Sequence, residues 1–104
     1  MRKLLCFAAG VSLVATAAIA AKTSHFAGAN LLPQAKITLA KARSTALSAR
    51  AGQITDQELE KERGGTGLRY SFDIKSSSGK TFEVGVDART GKVLENDAEG
   101  ANPD

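Results

Sequence analysis

Two alternating segments separated by a short polar break constrain this chain more than anything else in it. Leu68, Tyr70, Phe72 and Ile74 alternate with Arg69, Ser71, Asp73 and Lys75, and then Phe82, Val84 and Val86 alternate with Glu83, Gly85 and Asp87. Successive side chains of a strand point to opposite faces, so each segment predicts a strand with one apolar and one wet face. The break from Ser76 to Gly79 has room only for a hairpin loop, which makes the two strands antiparallel neighbours. A sheet with one apolar face must bury that face under another element.

The cover is expected upstream. Thr38 is a good helix N-cap, because its hydroxyl can accept from the free N–H groups of the first turn. Ile37 before it can staple against Ala42. Leu39, Ala42, Ala46 and Leu47 form one apolar stripe at helical spacing, with Lys41, Ser44, Ser48 and Arg50 opposite. Alanine at two stripe positions lets the helix lie close to a sheet. Gly52 is expected to end it in the left-handed conformation.

Beyond Gly52 the period changes to that of a strand. Ile54 to Glu62 predicts a polar strand with Leu59 as its inward anchor; Ile54 has the opposite parity, which predicts a bulge. Gly64-Gly65-Thr66-Gly67 is a flexible connection. Asp87 to Lys92 predicts a tight turn in which the Asp87 carboxylate accepts backbone N–H groups two or three residues on and Gly91 supplies a positive φ. Val93 and Leu94 give a short fourth strand. The fold class is therefore α+β, an N-terminal helix packed on a four-stranded antiparallel sheet. Its expected core is Tyr70, Phe72, Ile74, Phe82, Val84 and Val86, covered by Leu39 and Leu47.

The rest of the 104 residues divides around that unit. Arg2 and Lys3, an apolar stretch from Leu4 to Ala15, and Ala18-Ile19-Ala20 read as a signal peptide over residues 1–20, with cleavage expected after Ala20 and Ala21 the alternative. A retained anchor would need ~18 to 20 strongly apolar residues, and this stretch is rich in alanine instead. Cys6 leaves with the leader, so disulfides are not expected to hold the exported domain together. The expected location is periplasmic or secreted. Residues 21–35, with Pro33 and the lone His25, are expected to form a flexible tether, residues 36–97 the domain, and residues 98–104 a disordered tail.

Charge excludes some functions. The chain carries 14 basic and 11 acidic residues, and without Arg2 and Lys3 the balance is 12 to 11, which is no footprint for nucleic acid. The distribution is lopsided, however. Lys22, Lys36, Lys41, Arg43 and Arg50 stand in the first half with no acid among them, and the acids all follow Ala51. Asp56, Glu58, Glu60 and Glu62 recur at every second residue, which places them on one strand face; Asp73, Glu83 and Asp87 could extend that patch. Such a series reads first as a solvated outer face that discourages edge aggregation. Its functional reading is a docking surface for a basic partner or a weak calcium site. The basic helix face could meet an anionic surface.

No catalytic, cofactor or metal residues are assigned. A nucleophile needs a base beside it, and the only histidine is His25. A zinc site needs about four suitable ligands. The glycine loop before Leu68 leads into a strand rather than the helix N-terminus a phosphate cradle uses.

The run Ala35-Lys36-Ile37-Thr38-Leu39 with a helix ended by Gly52 resembles the start of the PepSY domain. Tyr70-Ser71-Phe72-Asp73-Ile74 and the segment from Phe82 through Asp87-Ala88-Arg89-Thr90-Gly91-Lys92-Val93-Leu94 resemble its end. The closing Asp-Ala-x-Thr-Gly-Lys-Val is the most specific part. The resemblance implies a non-catalytic module of the kind found in metallopeptidase propeptides and small exported bacterial proteins. It departs from the family in carrying Lys41 and Arg43 where acids are common. No peptidase follows within these residues, so the expected partner is a separate peptidase or other envelope protein, engaged by strand addition at the sheet edge around Leu59. The alternative is a structural or sensing protein that binds an envelope polymer, an anionic surface or an ion.

Overall fold

A computed structural model describes residues 26–99. The signal segment, His25 and the last five residues of the expected tail lie outside the described residues. Among the described residues no helix is long and apolar enough to cross a membrane.

One helix, α1 (Leu39–Ala49), lies on a four-stranded antiparallel sheet of β1 (Gln53–Lys61), β2 (Leu68–Lys75), β3 (Thr81–Asp87) and β4 (Val93–Ala98). The strands lie in chain order, β1-β2-β3-β4, so every connection is a hairpin. Thr38 caps α1 as expected, its hydroxyl accepting from the Lys41 N–H at 3.1 Å. The stripe meets the sheet through Leu39, Ala42 and Ala46, all buried. Leu47 is only half-buried, because it stands at the margin of the contact.

The inner face of the sheet is built from Leu59, Leu68, Tyr70, Phe72, Ile74, Val84 and Val86, with Ala88 beside them. Tyr70 and Phe72 stack with ring centroids 6.3 Å apart. Tyr70 reaches past the core to donate its hydroxyl to the Ile37 carbonyl at 2.8 Å, fastening the approach to α1 onto β2. The Ala88 carbonyl accepts from both Lys36 and Ile37 N–H, at 2.9 and 3.0 Å, and holds the same approach from β3. Phe82 differs from expectation. It is half-buried, and the Arg50 guanidinium covers its ring at 3.8 Å from the centroid.

Three further expectations are corrected. Gly52 does not end α1 with a left-handed residue: Arg50 is the C-cap in an extended conformation, and Gly52 has φ 153°. Its reason is space, since a Cβ there would run into the Lys75 carbonyl and the Ile74 side chain. The described part of the expected tether is structured. Ala29–Gln34 forms a 3₁₀ helix containing Pro33, and Phe26, Leu31, Leu32 and Ala35 pack against the core. A small domain without staples gains from any apolar segment it can recruit. Finally, β4 runs to Ala98, with the Glu99 N–H donating to Thr81 at 2.9 Å, so the fourth strand is longer than Val93 and Leu94.

The parity argument at Ile54 holds. The β1–β2 register shifts between Ile54 and Asp56, and beyond the shift Leu59 faces inward opposite Tyr70.

Candidate docking surface

Because α1 covers one face of the sheet, the other face stays open, and the register decides which side chains meet there. Asp56 pairs with Asp73, Asp73 with Glu83, and Glu83 with Asp97, so a row of carboxylates crosses all four strands. Glu58 and Glu60 on β1 and Glu95 on β4 flank that row. Glu62 lies past the end of β1, because the strand stops at Lys61. Asp97 and Glu99 belong to this face, although the fourth strand is expected only at Val93 and Leu94 and Glu99 falls in the expected disordered tail. The signal was present in the alternation of Glu95, Asp97 and Glu99, which continues the strand period after the apolar residues run out.

Partial burial, with crowding added to it, raises the pKa of three of these groups. Partial burial is the first cause for Glu58, Asp73 and Glu83, and neighbouring carboxylates add to it: Glu60 and Asp56 at Glu58, Glu99 and Asp56 at Asp73, Glu95 and Asp73 at Glu83. Among the described residues the one ion pair is Arg69–Glu95, at 3.2 Å. The face therefore holds more negative charge than the fold neutralises.

Arg69 is the basic centre of the face. Alternation places it on the wet side, yet only 8% of it is exposed. Gly85 explains this. A Cβ there would stand 3.2 Å from Arg69 Cδ and Nη1, so the missing side chain is the bed on which the guanidinium stem lies as it crosses β3 to reach Glu95. Arg69 Nη2 also donates to the Arg63 carbonyl at 3.0 Å. Beside it Ser71 donates to Glu60 at 2.8 Å.

Asp87 does not extend the patch. It is 1% exposed and accepts from the Thr66 N–H at 2.7 Å, the Thr66 hydroxyl at 2.9 Å, the Arg89 N–H at 2.8 Å and the Thr90 N–H at 3.0 Å. Burial alone raises its pKa, but these donors outweigh it and hold the carboxyl at about 2. The expected bonds to residues two and three on are present; Thr66, brought over by the glycine loop, is the partner that no local reading supplies. Gly65 is needed there, with φ 54° and a Cβ position already occupied by the Asp87 carboxylate.

The basic helix side is less available than its sequence suggests. Arg43 donates to Gln57 on β1, and Arg50 donates to the Asn96 amide at 3.1 Å while covering Phe82. Lys36 and Lys41 remain exposed. Among the described residues no group of His, Cys, Asp and Glu is arranged to hold a metal ion, and the calcium reading of the acidic strand gains no support. Side chains of a flat strand point in parallel and do not converge on one ion.

The helix-backed sheet thus carries an open acidic face. The model of the family described as "Peptidase propeptide and YPEB domain", PepSY, matches residues 36–97, and the chain belongs to that family. No curated protein and no solved structure matches it.

Proposed function

We propose that this protein is a non-catalytic, exported PepSY module that binds a separate envelope or secreted peptidase and modulates its activity. The observation that carries the reading is the family match over residues 36–97, in a family tied by its description to peptidase propeptides. The fold supports it, because the helix-on-sheet core leaves one sheet face open and strongly acidic. PepSY domains are in general propeptide-like or inhibitor-like modules rather than enzymes. Export follows from the leader pattern of Arg2, Lys3 and Ala18-Ile19-Ala20.

The test is enzymatic. The full chain, expressed with its own leader and purified from the cell envelope or medium, is added to the peptidases of the same fractions. Hydrolysis of a peptide substrate by at least one of them should slow in proportion to added protein. Unchanged rates for every peptidase in both fractions would overturn the proposal.

A further inference from the structure

The two edges of the sheet are not equivalent. In an antiparallel ladder alternate residues turn their main-chain groups to the neighbouring strand and to the outside. On β1 the Leu59 N–H points outward, and Ala27 already accepts from it at 2.9 Å through a parallel bridge. Gln57 is the next outward residue, and its N–H donates to the Asp56 side chain at 2.9 Å. Gly28 lies so close to the Leu59 carbonyl that a Cβ would overlap it, and the bulge after Ile54 interrupts the ladder further along. These are devices that close a strand edge.

On β4 Ala49 and Arg50 touch the Asn96 side chain, at 3.3 and 3.1 Å, but among the described residues nothing bonds the outward main-chain groups. Glu99 donates inward to Thr81, so in the same register Asp97 and Glu95 also face β3, while Asn96 and Ala98 turn their main-chain groups outward. Neither Asn96 nor Ala98 has a main-chain partner on that side among the described residues. Glu95, Asp97 and Glu99 stand along the same edge on the open face.

We propose that β4, and not the strand around Leu59, is the docking edge, and that its occupant is an extended segment of a partner protein with Lys or Arg at alternate positions. This rests on the proposed role as a protein-binding module. Main-chain bonds to Asn96 and Ala98 supply the affinity, and the alternate cations fall opposite Glu95, Asp97 and Glu99, which sets the choice of segment. The same charges disfavour a second copy of this chain, because pairing β4 with β4 would bring like charges together.

The experiment uses the full chain and two synthetic peptides of about nine residues, one alternating lysine with threonine and one alternating glutamate with threonine. Amide exchange is followed by NMR. In the free chain the Asn96 and Ala98 amides should exchange quickly; the lysine peptide should slow both, and the glutamate peptide neither. Asp97→Lys should weaken lysine-peptide binding about tenfold. Ala98→Pro should weaken it similarly by removing an outward N–H at an edge position that tolerates proline, and retained protection of β2 and β3 amides confirms that the variant is folded. Protection appearing at Gln57 and Leu59 instead would overturn the assignment. So would Asn96 and Ala98 already protected in the free chain, whether by its own remaining residues or, if concentration-dependent, by a second copy. Binding without edge protection would reduce the face to plain charge attraction and equally overturn it. Peptidase assays separate the two proposals. Modulation that survives both β4 variants rejects the edge and leaves the function standing; peptide binding at β4 with every peptidase unaffected rejects the function and leaves the edge.

Discussion

Asp87 and Glu83 stand four residues apart on β3 and on the same side of the sheet, yet their carboxyl groups are displaced in opposite directions. Glu83 is partly buried and surrounded by other carboxylates, and its pKa is raised. Asp87 is far more deeply buried, but Thr66, Arg89 and Thr90 aim donors at it, and its pKa is held down at about 2. Burial alone does not set the state of an acid; what is buried with it does. One carboxylate is part of the fold. The others form a surface under mutual repulsion.

The sharpest way to break this contrast is Asp87→Ala, which leaves the Thr66, Arg89 and Thr90 N–H groups without their acceptor. It should cost about 3 kcal/mol of stability in a urea titration. Gly65→Ala, which forces a Cβ onto the Asp87 carboxylate at φ 54°, should cost about 1 to 3 kcal/mol by the same assay. A thermal melt series against pH separates the two groups of acids. The folded-state pKa values of Glu58 and Glu83 lie above 4.5 and that of Asp73 above 3.8, so the folded chain takes up protons first and stability should rise as pH falls through that range. The Asp87 contribution is complete above 3.8 and is lost as pH falls toward about 2. Stability should therefore peak near about pH 4 to 5 and fall steeply below about pH 3. A flat profile from neutral to about pH 4 would show that neither burial nor repulsion raises these acids in the folded chain. The smallest effect expected is from Glu83→Gln, a gain of about 0.5 kcal/mol or less that shrinks in high salt.

Much of the fold was legible because the strand period is so regular. The alternation of β2 and β3, the Thr38 cap and the Ile54 parity break each fixed an element or its register. Errors came where a residue's role depends on something distant. Gly52 reads as a helix stop, but its neighbour is the Lys75 carbonyl across the sheet. The stretch from Phe26 to Ala35 lacks any period, because its apolar residues fill gaps at the margin of the core rather than one face of a long element. Arg69 reads as a wet residue until Gly85 is seen beneath it. The acidic face was half legible: β1 announced its share through Asp56, Glu58 and Glu60, whereas the β4 share was masked by the polarity of the chain's end.

The sequence by itself determined the local conformations and the membership of each face, because strand and helix periods are written in the order of residues. Only the tertiary structure decided which carboxylates become neighbours, which acid receives donors, and which edge is closed. Those outcomes depend on register and on the 3₁₀ segment folding back over β1. Both are set by long-range packing, and no stretch of a few residues encodes them.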